Sequence, residues 1–386
     1  MTEPPPTDSG RSDEPVGSAT PSAFDFLTFV LQGVAPELKP VTLLAYDIDA
    51  FERDAALFSA QLSIPVDELL EIAADARAGS DPTADKRPGQ HVVSRSLLAG
   101  WCTGTSRRAG DQLIWPYSLD NGPETPIDPT EGGKVTHFVQ VDSVRTEQAW
   151  ETVENTLRDD VRRLAASPNL SDPKLVEKVK KIVALHWARS IETRDAIEAM
   201  CNRTIAAKRM EYQQQPEKVD ELYRMKFGNT AKVLSQSERN DFVDEFLARS
   251  QWIFASGTYF RFDVIYLFRA ALEQMERLKV QILRAPDGSE FLVGDTPVIK
   301  LDEHGVPRGR KNPIAIRQAV SVLMPFSPRL MVVLDNLSRD FTITAADVRK
   351  YNSWQLEQAS SHVFMHPTAT SLMTWVENTR PPTATS

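Results

Sequence analysis

Apolar residues return at helical spacing in residues 24–31 and 69–76, and between them a short apolar run, 41–50, closes on Asp47 and Asp49. A helix-like stretch, 51–62, follows it, so residues 24–85 read as a helical lead-in ending in a linker, with the Gly, Asp, Pro and Arg of 77–90 marking the boundary. The pattern then shifts to β-branched and aromatic runs at 112–118 (QLIWPYS) and 136–141 (THFVQV), which predict strands. Pro116 places the first at an edge or a bulge, and the Pro-, Gly- and acid-rich loop 121–134 separates the two.

The middle of the chain is helical by spacing. Trp150, Val153, Leu157, Val161 and Leu164 share one face, and residues 168–173 end that helix. Residues 175–199 predict a continuous helix with Val179, Ile182 and Leu185 inward. Ser235 and Glu238 fit a capping box opening a helix with Phe242, Phe246 and Trp252. Residues 262–278 are apolar on several sides and predict a central helix. The period then falls to two: 279–284 (KVQILR) and 289–293 (SEFLV), around Pro286-Asp287-Gly288, predict a hairpin. Strands at 321–325 and 330–334 flank Phe326-Ser327-Pro328, and a last helix near 347–360 leads into Val363-Phe364-Met365.

Composition narrows the class. Of 386 residues, 25% are charged and 41% hydrophobic, which is ordinary globular usage. A formal charge of −9 does not favour a dominant nucleic-acid or anionic-membrane footprint, though a local basic groove is compatible with it. Residues 1–23 carry no apolar signal core, are rich in Pro, Ser, Asp and Glu, and read as a disordered tail. No run approaches the roughly 18 apolar residues of a membrane span, so the expected location is the cytoplasm, with no membrane partner. Cys102 and Cys201 have neither zinc-knuckle nor redox spacing and read as reduced, largely buried thiols.

Four groups could carry chemistry, each beside a structural alternative. Asp295, at a strand end before Thr296-Pro297, could act as a base or hold a divalent metal; the alternative is a turn whose Asp caps backbone amides. His91 opens the apolar run HVVSRSLLAGW and could be a catalytic base or ligand, or a hydrogen-bonded structural histidine. His186, Arg189 and Glu192 are three apart and would share a helix face, with Arg189 suited to a carboxylate or phosphate; the alternative is a solvated face. Arg308-Gly309-Arg310-Lys311 could touch phosphates, and otherwise is a solvated loop. Walker, His-Glu-x-x-His, Gly-x-Ser-x-Gly and dinucleotide motifs are absent. Pro286-Asp287 with Glu290 suggests a restriction-type nuclease core, but the required lysine is Leu292.

Taken in order, several segments resemble a bacterial family, domain of unknown function 4238 (DUF4238). They are Gln90-His91-Val92-Val93 with Leu97-Leu98-Ala99-Gly100-Trp101, Ile114-Trp115-Pro116-Tyr117, Arg189 in a helix, Gly294-Asp295-Thr296-Pro297-Val298, Pro325-Phe326-Ser327-Pro328, and Asn352 before Val363-Phe364. The similarity spans about residues 90–364, and departs where the family's Ser and Asn are Gly294 and Thr296. The resemblance implies a fold and brings no assigned chemistry. It also makes Asn352, with Arg189, a candidate ligand-binding residue.

The expected architecture is α+β: one antiparallel sheet gathering the strands of 112–141 and 279–334, packed against the helical middle of the chain. The expected division is a tail (1–23), a lead-in and linker (24–85), an α+β domain (86–366) and a polar C-terminal tail (367–386). Two function classes fit. One is a hydrolase-like enzyme acting on a phosphate-containing small molecule or nucleic acid, with His91 and Asp295 catalytic and Arg189 binding the anion. The other is a non-catalytic binding or regulatory module, as in phage defence or stress response. Substrate, cofactor and oligomeric state are not legible.

Overall fold

The computed structural model describes residues 90–102, 112–135, 170–227, 232–255, 270–309 and 314–379, with isolated positions elsewhere. The predicted tail, the lead-in elements of 24–76, the strand at 136–141 and most of the helix around 150–164 lie outside the described residues.

The fold is α+β. Its larger sheet has six strands: β5 (Lys279–Arg284), β7 (Ile299–Leu301), β8 (Pro307–Arg308), β9 (Ser321–Ser327), β10 (Leu330–Asp335) and β11 (Asp340–Thr342), in the order β11-β5-β10-β9-β7-β8. All neighbours are antiparallel except β11, which runs parallel to β5. Alternation of side chains splits this sheet between two cores. Val280, Ile282, Val322, Met324, Phe326, Val332 and Leu334 face helix α2 (Pro173–Ala188), which presents Leu175, Val179, Ile182 and Val183. Leu283, Leu323, Met331 and Val333 face the other way, toward Val348, Tyr351 and Trp354 of helix α6 (Ala345–Gln358). Burial on both faces explains why β9 and β10 read as nearly continuous apolar runs.

A second sheet has the order β3-β2-β12-β6, from β2 (Trp115–Ser118), β3 (Gly122–Pro123), β6 (Val293–Gly294) and β12 (His362–Met365). The strands expected in a single sheet are therefore divided among three, the third being a two-stranded pair at 90–91 and 134–135. β12, the segment that follows α6, seats itself between β2 and β6. The predicted hairpin of 279–284 with 289–293 does not form either. β5 lies between β10 and β11, so both of its edges are taken. The chain turns at Pro286–Ser289, with Gly288 at φ 78°, and crosses to the second sheet. Arg329 fastens this turn, donating to the Pro286 carbonyl and to Asp287.

Residues 370–379, expected within a polar tail, form helix α7 (Thr370–Thr379). Met373 and Val376 are three apart and bury together beside Tyr117, Leu356 and Val363. The described residues also form a helical arm: α3 (Ile191–Gln214), α4 (Pro216–Phe227) and α5 (Gln236–Ala255), joined around Val219, Phe242, Val243 and Leu247. The Ser235 capping box is present: Ser235 N–H donates to Glu238 at 2.8 Å, and Glu238 N–H returns to the Ser235 hydroxyl at 3.4 Å. The short elements β1 (Gln90–His91), α1 (Arg95–Leu98) and β4 (Lys134–Val135) lie against the core beside α2, with β1 paired to β4.

Candidate functional site

The stretch predicted as one helix over 175–199 breaks at Arg189–Ser190, where α2 ends and α3 begins. Ser190 caps α3. Its hydroxyl accepts from Thr193 N–H at 3.1 Å and donates to Thr193 Oγ1 at 3.0 Å, and that oxygen donates to the Trp187 carbonyl at 2.8 Å. His186, Arg189 and Glu192 thus do not share a face of one helix. They stand around a corner, and all three are buried.

His186 is fully enclosed. Its Nδ1–H donates to the Ile182 carbonyl at 2.9 Å, so Nε2 accepts, and the Ser94 hydroxyl lies 3.1 Å from it. Ser94 also caps α1, accepting from Leu97 N–H at 3.1 Å. A serine beside an oriented histidine is the geometry of an activated nucleophile. Magnitude decides against that role: burial first, and then the charge of Arg189, push His186 down to about 3. A base that weak at neutral pH holds protons poorly, so the pair ties α1 to α2.

His91 is half-buried on β1, with Nε2 at 3.0 Å from the Thr130 carbonyl. Burial lowers its affinity for protons. The Thr130 carbonyl opposes this, and the positive charges of Lys134 and Arg189 lower it again. The ring is neutral near pH 7, with Nε2–H donating and Nδ1 as the acceptor nitrogen. The structure therefore brings His91 and Arg189 within electrostatic reach of each other.

Asp295 is engaged elsewhere. Its carboxylate accepts from the N–H groups of Ser360, Ser361 and His362 at 2.6, 2.7 and 3.0 Å, and from the Ser361 hydroxyl at 2.8 Å. It holds the chain where α6 gives way to β12. Asn352 accepts from Leu292 N–H at 3.1 Å and donates to the Glu290 carbonyl at 2.9 Å. Gln355, one turn on, accepts from Gly294 N–H at 2.8 Å and donates to the Pro297 carbonyl at 2.8 Å. These two amides serve as surrogate strand partners for residues 290–297, which have little ladder of their own. Gly294 lies close beneath α6: a Cβ there would stand 3.2 Å from Gln355 Oε1 and from Ala359 Cβ.

Beyond the corner, Lys300 on β7 reaches back to α3. Its Nζ lies 2.8 Å from Glu192 Oε1 and 2.8 Å from the Ile314 carbonyl, and 5.8 Å from the centre of the Trp187 ring. Both charged side chains are 3% exposed.

A family model described as "Protein of unknown function (DUF4238)" matches residues 89–369. The chain belongs to this family. No curated protein and no solved structure matches it. In this DUF4238 chain the signature positions divide between two places. Asp295 and Asn352 satisfy backbone groups around α6, whereas His91 on β1 and Arg189 at the end of α2 lie within electrostatic reach of each other. Sequence reasoning missed Ser94, Gln355 and Lys300. Gln355 was legible, three residues beyond Asn352 on the same face; Lys300 required knowing that 299–301 is a buried strand.

Other features carry less. Arg308 is paired with Asp302 at 2.7 Å, and Arg310 and Lys311 lie outside the described residues. Cys102 donates to the Leu98 carbonyl at 3.6 Å. Among the described residues, no group of three or more His, Cys, Asp or Glu is arranged to hold a metal, and no helix is long and apolar enough to cross a membrane. A cleft of about 120 Å³ in the helical arm is lined by Arg209 and Arg239, but these pair with Asp244 and Asp220.

Proposed function

We propose that this DUF4238 protein is a hydrolase-like enzyme for phosphate-containing substrates, with Arg189 binding the anion and His91 accepting the proton. The observation that carries the reading is the His91 ring, neutral and fixed in one tautomer by the Thr130 carbonyl, within electrostatic reach of Arg189, while nearby Lys134 is paired with Glu131. An arginine near a neutral imidazole favours an anionic substrate and leaves Nδ1 able to take a proton from an attacking water. Asp295 and Asn352 position backbone in this reading and touch no substrate.

Titration with inorganic phosphate, followed by calorimetry and by the His91 imidazole resonances, tests it. Phosphate should bind and shift those resonances, and Arg189→Gln should abolish both effects. Absence of binding to the wild-type chain overturns the reading. The four donors on Asp295 favour the second reading, a non-catalytic binding module. Phosphate binding without turnover of p-nitrophenyl phosphate or of an oligonucleotide selects that one.

A further inference from the structure

The Glu192–Lys300 pair leaves two polar atoms unaccounted for. Glu192 Oε1 is bound by Lys300, but Oε2 is buried with no hydrogen-bond partner, and the same holds for Trp187 Nε1. Both residues are more than nine-tenths buried, at 3% and 4% exposure. One orphan is a carboxylate oxygen that can only accept, and the other an indole N–H that can only donate. Lys300 links them, touching Glu192 and lying over the Trp187 ring. Buried groups of this kind are rarely left unpaired in a folded protein, because each costs its full desolvation. A hydroxyl is complementary to such a pair, since it donates to one atom and accepts from the other. Trp187 and Glu192 flank Arg189 in the same corner between α2 and α3.

We infer that Glu192 Oε2 and Trp187 Nε1 form a hydroxyl-recognition subsite, so that the substrate is the phosphate ester of a polyhydroxy compound such as a sugar or nucleoside. This rests on the phosphate reading of Arg189 and His91, and the experiment separates the two. Ribose 5-phosphate and inorganic phosphate are titrated calorimetrically into the full chain, its Trp187→Phe variant and its Glu192→Gln variant. In the wild type, ribose 5-phosphate should bind about 10-fold to 100-fold more tightly than phosphate, the range of one well-placed hydroxyl with a charged partner. Trp187→Phe should remove much of that advantage, and Glu192→Gln nearly all of it, with phosphate affinity unchanged. Equal affinities in the wild type, or an advantage unaltered in the variants, overturn the subsite while leaving the phosphate reading standing. Binding of neither probe overturns both. Glu192→Gln leaves Lys300 without its counter-charge; if that variant fails to fold, Trp187→Phe decides.

Discussion

Replacing Asp295 by alanine removes the acceptor for three backbone N–H groups and one hydroxyl at the junction of α6 and β12. Hydrogen bonds to a charged group contribute about 1.5–3 kcal/mol each, so simple addition would give roughly 6–12 kcal/mol. The structure argues for less. Ser360, Ser361 and His362 are half-buried, so water reaches part of what the carboxylate releases, and the Ser361 hydroxyl can turn toward solvent. The four bonds also share one acceptor and are not additive. The expected loss is therefore about 3–5 kcal/mol. Asp295→Asn should cost about 2–4 kcal/mol despite equal shape, because its amide points donors at donors. Urea denaturation at neutral pH, followed by circular dichroism, measures both. A change below about 1 kcal/mol in both variants would refute the capping argument and return Asp295 to the list of catalytic candidates. Divalent-metal calorimetry on the same proteins gives the independent check: metal binding lost in Asp295→Ala, with the fold intact, would do the same.

Acid should weaken the fold through His186. Its folded-state value of about 3 lies below the ordinary 6.5, so the unfolded chain takes up a proton that the folded chain refuses between those limits. Stability present above pH 6.5 is thus lost as pH falls, by about 1.4 kcal/mol per unit, or about 2 kcal/mol from this residue by pH 5. Urea titrations at pH 7 and pH 5 should show the loss, and a His186→Gln chain should show a flatter dependence. Asn352→Ala and Gln355→Ala each strand one backbone N–H and one carbonyl of residues 290–297. Each should cost about 2–4 kcal/mol in denaturant, with the double variant short of the sum because both grip one segment. Lys300→Met should cost about 3–5 kcal/mol by leaving Glu192 charged and alone, and adding Glu192→Met should recover most of it. A double variant no more stable than the single one would show that the pair is not what Lys300 contributes.

By itself the sequence determined what local periodicity and local chemistry can encode. The apolar runs of β9 and β10, the capping box at Ser235, the Pro286-Asp287-Gly288 turn and the helix carrying Asn352 were all legible, because each depends on residues within a few positions of one another. The ordered motifs from His91 to Phe364 also marked the family. Only the tertiary structure decided the partners. The turn at Gly288 does not say whether the following strand folds back or crosses over; that depended on β10 and β11 occupying both edges of β5. Nor could spacing show that α2 stops at Arg189, since the break is sealed by a network among Trp187, Ser190 and Thr193 that competes with a continuous helix. That break took His186, Arg189 and Glu192 off a common face and turned them into a corner. Asp295 stood out as a strand-end carboxylate, but its four donors come from residues 360–362, beyond the reach of any local pattern. Which ionisable groups meet is a property of packing, where distant segments supply the hydrogen bonds that a buried polar atom requires.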